Sequence, residues 1–219
     1  MTSTLPDLIV RPDGLGYDPD FACRHLCGAD PALDALIAKV GAFTMRPIPT
    51  HSLFQVLVRS IVYQQLTGRA AATILARVVR LFAPKRFPTP LDLLEIPPER
   101  LRAAGLSTAK TAALKDLAAR ALDGTVPSLA RVRRMEDEEI VERLTAVRGI
   151  GRWTVEMLLI FKLGRPDVLP LGDLGVRKGF AMTFGKRKLP EPAALSRRAE
   201  RWRPYRSVAS WYLWRALEL

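Results

Sequence analysis

A chain of 219 residues with 48% hydrophobic content is long enough for one or two compact domains with cores of their own. Its 14 glycines and 17 prolines are near average, which argues against a fibrous or broadly disordered protein. The 34 Lys and Arg against 22 Asp and Glu leave a net charge of +12. That surplus points to a polyanionic partner, nucleic acid or an acidic membrane surface, unless it is only a solvated basic face. The opening MTSTLPDLIVRPDG lacks the charged-then-apolar pattern of a signal peptide. The longest apolar runs, such as Met157–Phe161, are far too short to span a bilayer. A soluble, intracellular protein is expected. Cys23 and Cys27 have no second pair to complete a four-ligand site, so neither an iron–sulfur cluster nor a structural zinc is expected.

In chain order, the apolar residues recur at three and four positions rather than two, the period of helices. Asp30-Pro31 opens a first predicted helix over roughly 32–40. Phe54, Leu57, Val58, Ile61 and Val62 mark the buried stripe of a second, Leu53–Leu66. Thr67-Gly68 interrupts, and Ala70–Phe82 resumes as an alanine-rich helix. Prolines at 84–90 and 97–98 bracket two short helices. Gly105 closes one, Ser107 caps the next, and Gly124 ends that one. The acidic run 136–139 suits the first turn of a helix carrying Ile140, Leu144 and Val147 inward. Trp153–Leu163 follows, then a helix capped by Asp173 and running to Phe184, then helices near 193–202 and 207–218. Nothing alternates as a strand does, and the expected fold class is all-α.

Between two of these helices, LTAVRGIGRWTVEMLL (144–159) carries Gly149 and Gly151 two positions apart. Glycines adopt left-handed backbone angles and admit a close approach by another backbone. The helix that follows offers the positive end of its dipole. Together these make a small anion site, flanked by the charges of Arg148 and Arg152. The alternative is an ordinary helix-to-helix turn with a glycine cap.

This stretch, with VLPLGDLGVRKGF (168–180), WRPYRSVASWYLWRAL (202–217) and more weakly IVYQQLTGRAAATIL (61–75), resembles the helix-hairpin-helix (HhH-GPD) DNA glycosylases of base excision repair. Within them it looks like the AlkA-type 3-methyladenine DNA glycosylase II. The matching segments cover most of 50–219. The resemblance implies two helical subdomains with the active-site cleft between them. One joins 1–51 with 169–219 and carries the catalytic aspartate; the other, 52–168, ends in the hairpin. Larger bacterial relatives have an extra N-terminal α/β domain, for which this chain has too few residues before position 50.

The resemblance also assigns roles. Arg148, Gly149, Ile150, Gly151 and Arg152 become the turn whose amides bind a phosphate of the damaged strand, with a monovalent cation, Na or K, held at the carbonyls of Val147 and Ile150. No other cofactor is implied. Asp173, 22 positions beyond Gly151, becomes the carboxylate facing the flipped nucleotide. As a plain N-cap it would be explained just as well, and the two roles are compatible. Breaking an N-glycosidic bond builds positive charge on the sugar, which a fixed carboxylate stabilises while orienting the attacking water. Relatives that also cut the strand have a lysine where this chain has Trp153, so no lyase activity is expected.

A flipped base needs flat, apolar walls, and Trp153, Trp214, Tyr212 and Tyr63 are the candidates, with Trp214 on a family pocket position and Trp153 beside it. Trp202 and Trp211 are expected in the core, and His25 and His51 in structural roles. Electron-rich rings favour cationic bases, so the expected substrates are 3-methyladenine and 7-methylguanine, then hypoxanthine or ethenoadenine. Gln65, with Leu66 beside it, falls where larger relatives carry an apolar wedge that fills the emptied duplex. Either residue could simply end a helix. AAGLSTAK (103–110) resembles a second phosphate-contacting turn, with Lys110 as the contact.

The expected whole is a monofunctional glycosylase acting on double-stranded DNA. It is expected to be cytoplasmic, associated with the nucleoid and monomeric, with no membrane and no obligate protein partner. The alternatives are a noncatalytic helix-hairpin-helix DNA-binding protein, a bifunctional oxidised-base glycosylase, and a basic helical assembly protein.

Overall fold

The computed structural model describes residues 14–219, which form thirteen α-helices and no strand. The all-α expectation therefore holds for the described residues. No helix among them is long and apolar enough to cross a membrane.

Local signals set most boundaries. α1 (Pro19–Ala29) and α2 (Pro31–Val40) each begin on an Asp-Pro pair, in which the aspartate accepts from first-turn amides and the proline occupies a position needing no N–H. α1 was not among the predicted helices, although Asp18-Pro19 is the same start signal as Asp30-Pro31. α3 (Leu53–Tyr63) stops three residues before the predicted Leu66, because the chain leaves the helical region at Gln64 (ψ 133°) and then turns left-handed at Gln65 (φ 55°). Thr67 caps α4 (Gly68–Arg80). α5 (Pro90–Glu95) starts on a reciprocal Thr89–Asp92 capping box, and α6 (Pro98–Ala103) follows. Ser107 caps α7 (Thr108–Leu122), and a single unpredicted turn, α8 (Leu129–Val132), precedes α9 (Asp137–Thr145) with its acidic start. α10 (Arg152–Phe161) and α11 (Leu174–Thr183) come next. α12 (Pro192–Ala199) and α13 (Arg206–Arg215) each run on into a short 3-10 turn.

The chain separates into two compact units. The central unit is Thr50–Val155, and the terminal unit joins the residues up to Pro49 with Glu156–Leu219. The second crossing thus falls inside α10 rather than at the expected 168/169. Residues after Glu156 are bound into the terminal unit: the amide of Ile48 donates to the carbonyl of Phe161 (2.8 Å), and that of Val168 to Ser207 Oγ (2.9 Å).

The central core is built on Leu57, Ile61, Leu93, Leu101, Leu114, Leu117, Ile140 and Leu144, all fully buried. In the terminal unit Leu26, Leu33, Leu195, Trp202 and Leu213 play that part, and Trp211 is also buried, as expected. A carboxylate lies inside this second core. Asp30, inaccessible to solvent, accepts from Arg198 Nε and Nη2 (2.7 Å each) and from Trp202 Nε1 (3.1 Å) while capping α2. α11 crosses α13 at close range through Gly179, where a Cβ would overlap the carbonyl oxygen of Leu213.

Candidate active site

In the terminal unit the site centres on Asp173, the half-buried N-cap of α11. Its Oδ1 accepts from the amide of Val176 (2.8 Å) and from the indole N–H of Trp214 (2.8 Å). Two donors on one oxygen fix the rotation of the carboxylate. The Trp214 ring is held in turn by Phe161, stacked at 5.5 Å between centroids and 29° between planes. Trp214 therefore engages Asp173 directly, in addition to any contact its ring makes.

Tyr212, the other aromatic expected from α13, is not a pocket wall. It is 1% exposed, and its hydroxyl donates to the carbonyl of Gly41 (3.0 Å) beside Cys23 Sγ (3.3 Å). Burial pushes this phenol well above its ordinary pKa. The i+2 offset from Trp214 sends it to the other side of the helix, into the core. Burial likewise raises the thiols of Cys23 and of Cys27, the latter to about 11, so neither behaves as a reactive thiolate.

In the central unit the hairpin closes through an Ile150 N–H bond to the carbonyl of Val147 (3.0 Å). Only Gly149 of the two glycines takes the left-handed angle (φ +81°). At Gly151 a Cβ would meet nothing within 4 Å. Nothing internal demands a glycine there, and its lack of a side chain leaves the surface open to an approaching group. Asp116 accepts from the amide of Arg148 (2.7 Å), and Gln64 Nε2 donates to the carbonyl of Gly149 (2.7 Å). Neither brace was apparent from the sequence. Arg152 is ion-paired with Glu138 across an exposed surface, an association weak enough to exchange for a phosphate.

Lys110 departs from its expected role. Its ammonium donates to the carbonyls of Val62 (2.8 Å), in the last turn of α3, and of Gln64 (2.7 Å), just beyond it, and desolvation lowers its pKa. It staples the turn after α3 instead of reaching for a phosphate. That turn presents Gln65 and Leu66, both exposed, with Gln65 in its left-handed conformation. Tyr63 is half-buried and carries the Arg59 guanidinium over its ring at 4.5 Å. Trp153 is 52% exposed in the central unit, whereas Trp214 belongs to the terminal one. His51 is exposed and His25 packs edge-on against Tyr205 (5.3 Å). No group of three or more His, Cys, Asp or Glu among the described residues could hold a metal ion.

Comparison with known proteins gives a consistent picture. The sequence profile described as HhH-GPD superfamily base excision DNA repair protein matches residues 58–204. The chain is 37% identical over 196 residues to the DNA-3-methyladenine glycosylase 1 of Schizosaccharomyces pombe, covering 89% of this chain and 86% of that protein. Among solved structures, the 3-methyladenine DNA glycosylase of the same yeast in complex with abasic DNA superposes with a TM-score of 0.77 at 36% identity, covering 91% of this chain and 97% of that one. A DNA-3-methyladenine glycosidase from Bacillus halodurans superposes with a TM-score of 0.80 at 33% identity, covering 89% and 88%.

Proposed function

We propose that this chain, which belongs to the HhH-GPD superfamily of base excision DNA repair proteins, is a monofunctional glycosylase that hydrolyses the N-glycosidic bond of alkylated purines in DNA and leaves an abasic site. One observation carries this reading: a carboxylate fixed at a helix start by two donors, Val176 N–H and the Trp214 indole. A noncatalytic DNA-binding module needs no such group.

The chemistry follows from charge. As the bond from the sugar's C1′ to the base nitrogen breaks, the electron pair leaves with the base and positive charge builds on the sugar. Asp173 stabilises that charge and orients the water that adds to C1′, taking up its proton. Because its rotation is already fixed, little reorganisation is required at the moment of reaction. Flipping the nucleotide costs on the order of a few kcal/mol, and less for a damaged pair. The central unit meets part of that cost by holding the strand. The hairpin amides and the start of α10 receive a phosphate, and Gln65 or Leu66, on the turn stapled by Lys110, fills the emptied duplex. Val147 uses one carbonyl lone pair on Ile150, so it retains capacity to hold a monovalent cation together with the Ile150 carbonyl. Such an ion would add positive charge beside the phosphate.

The substrates we assign are 3-methyladenine and 7-methylguanine, whose alkylation leaves the base cationic and already weakens the bond, with hypoxanthine and ethenoadenine slower. A base that departs readily needs no strong acid to protonate it. Trp153 stands where a Schiff-base lysine would be needed, so the product is an abasic site without strand cleavage. The protein acts as a monomer on the cell's DNA, in the cytoplasm at the nucleoid.

The test is incubation with methylated duplex DNA. Free alkylated purine and an equal number of heat-labile sites are expected, with no DNA adduct trapped by borohydride. Absence of released base sinks the catalytic reading, and a trapped adduct in substantial yield sinks the monofunctional one. A second test addresses the turn. Gly151→Ala should fold as the parent does, since its Cβ meets nothing, yet bind duplex DNA roughly tenfold more weakly, the scale of one charge-assisted contact. Unchanged binding of that variant in a fluorescence titration would remove the hairpin from the DNA contact.

A further inference from the structure

We infer that Gly175 and Trp214 form a positioning device for the Asp173 carboxylate, in which the missing side chain at 175 makes room for the indole that holds Asp173 Oδ1. The inference rests on the catalytic reading of Asp173 given above.

The device begins at Gly179. Its lack of a Cβ lets the backbone of α13 approach α11 at Leu213. The next residue of α13 is Trp214, and four positions earlier on the same face of α11 stands Gly175. A Cβ built on Gly175 falls 2.7 Å from Trp214 Cδ1, 3.0 Å from its Nε1 and 3.1 Å from Asp173 Oδ1. The first of these separations is too short for real atoms, and the other two bracket the hydrogen bond itself. The obstructing atoms belong to a ring that cannot retreat freely, because Phe161 is stacked on it. Phe161 is itself anchored through its carbonyl to Ile48. Any side chain at 175 therefore displaces the indole, and with it the donor that fixes the carboxylate. A glycine inside a ten-residue helix is otherwise an unfavourable choice. Here its place is explained by the contact it permits. Gly175 and Trp214 act through Asp173 and are positioning residues, not catalytic ones.

The test uses Gly175→Ala, Trp214→Phe and the double variant. Trp214→Phe keeps a ring for stacking on Phe161 and removes the N–H. Single-turnover base release should fall about 10- to 100-fold in each single variant, the scale of a carboxylate misplaced by a fraction of an ångström. Affinity for an abasic duplex, which presents no base to stack on, should stay unchanged. The double variant should lose less than the product of the two single losses, since the added methyl acts mainly by displacing the indole and only in part by pressing on Asp173 Oδ1 itself.

A readout independent of activity accompanies this. The chain has four tryptophans, and the indole N–H resonance lost in Trp214→Phe belongs to Trp214. That resonance should move more than the other three in Asp173→Asn and in Gly175→Ala. Full activity of Trp214→Phe, multiplicative losses in the double variant, or a Trp214 resonance unmoved by Asp173→Asn each overturns the inference. Should Gly175→Ala fail to fold, Trp214→Phe and the Asp173→Asn resonance decide alone. A wild-type protein that releases no base defeats the glycosylase reading instead, while the resonance still tests the geometry.

Discussion

Asp173→Asn is expected to release alkylated purines about 100- to 1,000-fold more slowly than the wild type, the range seen when one preorganised electrostatic partner of a charged transition state is removed. The same substitution should leave folding intact. Asparagine caps helices about as well as aspartate, and its amide oxygen can still accept from Val176 and Trp214 as Asp173 Oδ1 does. What disappears is the negative charge. Single-turnover release from methylated duplex, read beside a thermal melt, separates the two consequences. Full activity with an unchanged melt would leave Asp173 as nothing more than a cap. Lost activity with a lowered melting temperature would mean that the variant reports on stability.

The largest expected effect on stability lies elsewhere, at Asp30. Arg198 and Trp202 both donate to this solvent-inaccessible carboxylate. Asp30→Ala leaves the guanidinium without its counter-charge and the buried indole N–H without its acceptor. Breaking such a pair costs about 3–5 kcal/mol, which for a protein of this size lowers the melting temperature by on the order of 10 °C.

The pH dependence follows with a definite sign. Burial alone pushes the Asp30 carboxyl up, but the bonds from Arg198, Trp202 and the Ala32 amide outweigh it and hold the group below its ordinary value of 3.8. A carboxyl depressed in the folded state contributes fully above its unfolded pKa, and that contribution is lost as pH falls through the folded value. The difference in melting temperature between wild type and Asp30→Ala should therefore be largest near neutrality and shrink only below about pH 4. A difference that grew on acidification would contradict the assignment.

These two aspartates also mark how far the sequence could be read. Both announce themselves as caps, Asp30 before a proline and Asp173 ahead of an apolar run, because capping is settled by residues two or three positions away. The same locality made the starts after Ser107 and at 136–139, and the ends at Gly105 and Gly124, legible. Asp18-Pro19 carries the same signal, so α1 could have been found by the rule that found α2. What Asp30 binds, at positions 198 and 202, follows from no local rule.

Function divides in the same way. The hairpin and the carboxylate are visible as short motifs. Their supports are not, since Gln64 meets Gly149 across 85 positions and Lys110 meets Gln64 across 46. Lys110 and Tyr212 were misjudged for one reason: residue type and spacing do not tell whether a polar group is already satisfied inside the protein. Gly175 did carry a signal. A glycine two residues into a helix costs helix stability, so its presence calls for a packing reason, and it stands two positions from Asp173.

The most direct test of the central claim uses a duplex carrying a pyrrolidine in place of one sugar, cationic where charge develops in the reaction, beside a neutral tetrahydrofuran duplex of the same sequence. A site built for that charge should bind the cationic duplex at least about tenfold more tightly, a preference of about 1.4 kcal/mol. Asp173→Asn should bind both equally. Equal binding of the two duplexes by the wild type, or a preference that survives Asp173→Asn, would contradict the account.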